Sequence, residues 1–245
     1  MKANIIRSRT TIEFPGTDLV ATHPFYGPAN SKTLSEQIRK DNLREPTSPQ
    51  VVTFAHSLYG KNRPIEQEVT GMMRNNYFRG FTGVLFRPKE GVADFIDYPK
   101  FDEQSVVDKN DLLARIGESR AQVPFEHLME GPVGWREIAK HPYFIASGGG
   151  KQGAENLAEL ASRHSSQQAY IFVPNVSQMQ KPEARVVSLN SGYDGWLVVG
   201  ADGDGNGDGT YAFGVRVPSG TSVGEAGRNL KDYSETELIQ EILRR

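Results

Sequence analysis

The period of the hydrophobic positions changes twice along this chain, and each change predicts a switch of secondary structure. The first half of the pattern is helical. Thr33-Leu34-Ser35-Glu36 has the form of a capping box, so a helix is predicted from there to about Lys40. Thr47-Ser48-Pro49 marks a second helix start, with proline in the first turn, where its missing N–H costs nothing. Val51, Ala55 and Leu58 then recur at i, i+4 and i+7, one buried face. Pro64 opens a third helix whose apolar side is Ile65, Val69, Met72 and Met73. Upstream, residues 1–30 are dense in turn formers (Pro15-Gly16, His23-Pro24, Gly27-Pro28), which predicts a short strand near Thr10–Phe14 and then an irregular arm.

The period then shortens. Phe81–Arg87 and Val92–Tyr98 are rich in aromatic and branched residues around Pro88-Lys89-Glu90-Gly91, a hairpin pattern. Short helices follow, one carrying Leu112, Leu113 and Ile116, the next carrying Trp135, Ile138 and Ala139 and stopping before Pro142. Tyr143–Ala146 reads as a buried strand, Ser147–Gly153 as a tight loop, Ala154–His164 as an amphipathic helix and Ala169–Val173 as a second strand. That order predicts a βαβ crossover with parallel strands. Beyond Pro174 three more strands are expected, at Arg185–Leu189, Trp196–Gly200 and Thr210–Val217. Ser234-Glu235-Thr236-Glu237 is another capping box, opening a terminal helix with Leu238, Ile239, Ile242 and Leu243 on one side. The fold class expected is therefore α+β in a single domain over 1–245. It has a helical N-terminal half with a β-hairpin, then a βαβ unit and antiparallel strands, and a C-terminal helix.

Composition narrows the function classes. The 245 residues are 37% hydrophobic and 24% charged, enough apolar material for a core. Twenty-eight Lys+Arg against 30 Asp+Glu leave a formal net charge of -2, which argues against nucleic acid as a partner. The absence of cysteine excludes disulfides, thiolate metal sites and a cysteine nucleophile. Met1–Arg7 lacks the apolar core of a signal peptide, and no run approaches the ~18 apolar residues of a membrane helix, so a soluble, cytoplasmic protein without a membrane partner is expected.

Two loops carry candidate chemistry. Ala201–Gly209 sets three carboxylates and an amide between strands. Counted from Asp202 as an EF-type loop, positions 1, 3 and 5 are Asp202, Asp204 and Asn206, and Gly207 stands at 6. Position 12 is Phe213, which cannot ligate, and strands flank the loop, so the EF-hand version fails. A Ca2+ site built from Asp202, Asp204, Asn206 and Asp208 then needs a distant carboxylate such as Glu225 or Asp194. The competing reading is a hairpin connection in which Gly supplies positive φ and Asp/Asn supply turn chemistry. The second loop, Gly148-Gly149-Gly150-Lys151-Gln152-Gly153, satisfies G-x-G-x-x-G between a predicted strand and a predicted helix. Gly148, Gly150, Lys151 and Gly153 there offer backbone N–H groups and a cation to a phosphate. An acidic residue about 20 positions on, expected of a dinucleotide site, is missing, and Gln152 excludes a P-loop. A glycine turn that lets a helix pack closely is the alternative.

Other features point away from catalysis. His23, His56, His127, His141 and His164 fall in no H-E-x-x-H element, and no G-x-S-x-G exists, so no catalytic residue is assigned. Asp94 and Asp97 project to opposite faces of one strand. The stretch Arg74-Asn75-Asn76-Tyr77-Phe78-Arg79 is aromatic and basic, and reads as a helix end with cations set against the dipole. Two functions follow. One is binding of a phosphate-bearing small molecule or nucleotide at residues 147–153. The other is a non-enzymatic structural or protein-interaction module, stabilised by a divalent cation at residues 202–208. A small molecule or a protein is the partner expected, and a homo-oligomer is compatible with either.

Overall fold

A computed structural model describes residues 10–14, 17, 19–58, 64–191, 196–201 and 203–216. In chain order the described residues form β1 (Thr10–Glu13), β2 (Val20–His23), β3 (Tyr26–Ala29), α1 (Ser31–Lys40), α2 (Ser48–Leu58), α3 (Pro64–Asn75), β4 (Tyr77–Arg87) and β5 (Val92–Asp97). There follow α4 (Lys109–Ala114), β6 (Ala121–Pro124), β7 (Gly131–Gly134), α5 (Trp135–Ile138), α6 (Pro142–Gly148), α7 (Lys151–Ser162), β8 (Gln168–Phe172), β9 (Glu183–Asn190), β10 (Leu197–Gly200) and β11 (Thr210–Ala212).

Strand β4 organises a nine-stranded mixed sheet. One of its edges runs antiparallel along β9. Its other edge is shared: β11 lies parallel to it at Tyr77 and Phe78, and β5 lies antiparallel to it from Thr82 to Arg87. The register shifts between Arg79 and Gly83 where this division falls, as a bulge that bends the strand would produce. Beyond β9 come β10, β8 and β7, with β10 and β8 parallel. Strands β1 and β2 form a separate two-stranded ribbon.

Alternation along the strands divides the core. Phe78, Val84 and Phe86 of β4, with Leu189, Val199 and Ile171 of the neighbouring strands, share one large cluster with Val51, Phe54 and Leu58 of α2 and Leu157 and Ala161 of α7. Phe54 of α2 stacks on Phe213 at 4.4 Å and meets Phe25 edge-on at 5.6 Å. On the opposite face, Leu85, Ile96 and Val186 pack against Leu112 of α4 and Val107. Fully burying each such side chain contributes about 1.5–3 kcal/mol. Asp94, 1% exposed, lies deep in this framework and accepts from Arg87 Nε at 2.7 Å and from Gln122 Nε2 at 3.0 Å. Asp97 projects the other way and accepts from Thr82 and Arg120.

The expected order of a helical half followed by a β half does not hold. Strands β1 to β3 precede the first helix, and the large sheet draws β3, β4 and β5 from the first half of the chain. The predicted βαβ unit is also overturned. Residues 143–146 belong to helix α6, which begins at Pro142 and is capped by His141 Nδ1 accepting from Tyr143 N–H. Four apolar residues after a proline carry no period that separates a strand from a buried helix, and proline in the first turn favours the helix. The strand before α7 is β7, and it pairs antiparallel with β8. Thr33–Glu36 is no capping box: α1 starts earlier, and Asn30 Oδ1 accepts from Thr33 N–H. The proposed terminal helix at residues 234–243 lies outside the described residues.

Candidate functional site

The glycine-rich segment joins two helices. Gly149 adopts φ 78°, its N–H reaching Ala146 C=O, while Gly150 N–H reaches Ile145 C=O at 2.8 Å. This is the paired hydrogen-bonding of a Schellman ending. Gly148 and Gly153 then lie backbone to backbone. A Cβ on Gly153 would stand 1.9 Å from Gly148 O, and one on Gly148 would stand 2.6 Å from Gly153 C. Packing of α6 on α7 therefore accounts for both residues. Lys151 opens α7 with its side chain 83% exposed and its Nζ 3.8 Å from Glu155.

The acidic segment is no hairpin tip, because β10 and β11 are separated in the sheet by β9 and β4. It crosses between them and is tied down along its length. Val186 N–H donates to Gly203 C=O, Val107 N–H to Asp204 C=O and Ser31 N–H to Gly205 C=O. Asp204 Oδ1 accepts from Asn206 N–H at 3.2 Å, and Asp208 Oδ1 accepts from Asn30 Nδ2 at 3.4 Å. Asp202, Asp194 and Glu225 lie outside the described residues. Among the described residues no group of three or more His, Asp or Glu side chains is placed to hold a metal ion.

A cavity of about 300 Å³ opens elsewhere, at the end of α3 and over one face of β8, β9 and β10. Strand geometry assembles it. Ala169 and Ile171 of β8 point into the core, so Tyr170 and Phe172 face the other way. Tyr170 pairs with Val198 of β10, and Val198 pairs with Asn190 of β9, which sets the three in one row across the sheet. Next to that row β4 begins at Tyr77, beside the Phe78–Leu189 pair. Arg74, Asn75 and Asn76, from the last turn of α3 and its exit, complete the wall. Trp196 stacks on Tyr170 at 5.0 Å with 11° between the rings, and Tyr170 O–H donates to Glu130 at 3.4 Å.

The polar groups of this wall are unusual in their lack of protein partners. Asn75 Nδ2 donates to Gly71 C=O. Among the described residues, the side chains of Arg74, Asn76, Tyr77 and Asn190 make no hydrogen bond or ion pair with protein. Asn190 is only 8% exposed overall, and its amide faces the cavity rather than being sealed in the core. Two of the three large apolar side chains left exposed among the described residues, Tyr77 at 45% and Phe172 at 39%, border the same cavity.

None of these lining residues was a candidate from the sequence, although Arg74–Arg79 stood out as aromatic and basic. The remaining signal was the Ala169/Ile171 and Tyr170/Phe172 alternation, which a five-residue strand shows only briefly. The histidines lie elsewhere. His23 pairs with Glu68 at 2.9 Å, and His56 with Glu159 at 2.8 Å. The hydrogen bond from His56, with help from Arg163, holds the Glu159 carboxyl below the usual carboxylate range. Burial holds His141 below the usual imidazole value, with His127 adding to the effect.

No protein-family model matches the chain, and no curated protein matches it. Its structure is similar to a solved structure described as the accommodation of massive sequence variation in Nanoarchaeota by the C-type lectin fold. The TM-score is 0.55 at 16% identity, over 86% of this chain and 100% of that one. The likeness is one of fold: a mixed α+β architecture resembling the C-type lectin fold, in place of a helical half joined to a β half.

Proposed function

We propose that this chain is a non-catalytic binding module that takes a saccharide-class ligand in the cavity at the end of α3. The observation that carries the reading is that four polar side chains of this wall, Arg74, Asn76, Tyr77 and Asn190, are satisfied by no protein group among the described residues. An Asn amide offers both donors and an acceptor, which matches the dual character of a sugar hydroxyl. The faces of Tyr170, Phe172 and Tyr77 supply the apolar surface on which a pyranose lays its C–H groups. A volume of about 300 Å³ suits one or two sugar rings and sits at the small end of ligand sites. The fold likeness is consistent with the same reading, since the similar structure is described as accommodating massive sequence variation by the C-type lectin fold.

The test is saturation-transfer NMR and glycan-array screening of the protein and of its Phe172→Ala and Asn190→Ala variants. Binding by the parent chain, lost in both variants while their melting curves are unchanged, is the expected result. Saccharide binding that survives both substitutions would place recognition elsewhere on the molecule.

A further inference from the structure

We infer that the saccharide recognised here carries a carboxylate, and that Arg74 receives it. The inference deepens the reading above and rests on it. The residues lining the cavity include one cation and no anion. Arg74 also differs from four other arginines on or beside this sheet. Arg87, Arg115, Arg120 and Arg185 each face a carboxylate within 3.2 Å, whereas Arg74 makes no ion pair among the described residues. The last turn of α3 is a favourable place for a cation, because the carbonyl end of the helix dipole lies there. That accounts for the charge on the helix, and not for its place on the cavity wall beside unpartnered amides.

A guanidinium presents paired N–H donors that match the two oxygens of a carboxylate. Asn76 and Asn190 add amide donors on the same wall, and Phe172 and Tyr170 add ring faces. A carboxylate-bearing pyranose uses all three features at once. A neutral sugar leaves the guanidinium unpaired, and a simple carboxylate leaves the aromatic faces unused.

The experiment compares glucuronic, galacturonic and N-acetylneuraminic acids with glucose, galactose and N-acetylglucosamine, by ligand-observed NMR and calorimetry, on the parent protein and on Arg74→Gln and Arg74→Lys. At least one acid should bind about tenfold tighter than the neutral sugars, and Arg74→Gln should remove that advantage, the scale of one charge-assisted contact. Arg74→Lys, which keeps the charge and loses the fork, should restore part of it, and added salt should weaken it. Equal binding of acidic and neutral sugars, or an advantage untouched by Arg74→Gln, overturns the inference and leaves the saccharide reading standing. Competition by acetate or inorganic phosphate as strong as that of the acids also overturns it, because the rings would then contribute nothing. If neither kind of sugar binds, both readings fall together.

Discussion

Replacing Asn190 by valine should make the protein more stable and less able to bind. Asn190 ends β9 with 8% of its surface exposed, and its amide has no protein hydrogen-bond partner among the described residues. Two contributions then favour valine. Strand propensity separates Asn from β-branched residues on a scale spanning about 1 kcal/mol. The amide faces the cavity and keeps access to water, so the desolvation relieved by its removal is a few tenths of the ~1–3 kcal/mol that a sealed, unpartnered amide costs. The added methyl faces open cavity, so overpacking contributes little. The net expectation is a gain of about 1 kcal/mol, which at this chain length raises Tm by roughly 2–4 °C. Urea unfolding followed by circular dichroism measures the first effect, and the saccharide screen measures the second. Stability up with binding lost is the signature of a residue kept for recognition at the expense of the fold. A variant destabilised by 1 kcal/mol or more would refute the reasoning, since it would mean that the amide holds the framework together.

Four further outcomes follow from the framework. Gly71→Ala in α3 meets nothing within 4 Å, so it should stabilise by about 0.8–1 kcal/mol of helix propensity. Gly153→Ala in α7 drives a Cβ to 1.9 Å from Gly148 O and should cost about 1–3 kcal/mol, so paired unfolding curves must move in opposite directions. Asp94→Asn takes from Arg87, whose pKa is raised chiefly by its hydrogen bond to Asp94, the nearer of its two carboxylates and leaves Glu90 at 3.4 Å, so it should cost about 1.5–3 kcal/mol in the same assay. His141 is held below the ordinary imidazole pKa by burial first and His127 second, so the unfolded chain takes up the proton more readily. Its contribution is complete above about pH 6.5 and declines as the pH falls toward the folded value. The difference in urea midpoint between pH 8 and pH 5 should therefore be smaller in His141→Asn, which retains a capping side chain.

How far the sequence reveals this molecule differs by element. Helices α2 and α3 were legible because Pro49 and Pro64 mark their starts and a stripe of buried residues repeats for two or three turns. The hairpin of β4 and β5 was legible from its long branched and aromatic runs. Helix α6 was not, because Tyr143–Ala146 is too short to display a period. That single ambiguity made a helix–helix corner read as the strand–loop–helix start of a βαβ unit. The sheet order was also hidden. Nothing local in Thr210–Ala212 reveals that it pairs with Tyr77 and Phe78 far upstream, and without that pairing the acidic crossover reads as a hairpin. The cavity lies deepest in this respect. Its walls come from α3, β4, β8, β9 and β10, and only their assembly brings Arg74, Tyr170 and Asn190 to one place.

Whether this wall receives the ligand can be read from the side-chain amide and indole signals of the labelled protein during titration with the saccharide panel. The Asn76 and Asn190 NH2 pairs and the Trp196 indole should shift together along one binding curve, while the backbone signals of Gly149–Gly153 and Gly203–Asp208 stay in place. Shifts confined to either of those two segments, with the asparagine pairs unmoved, would contradict it.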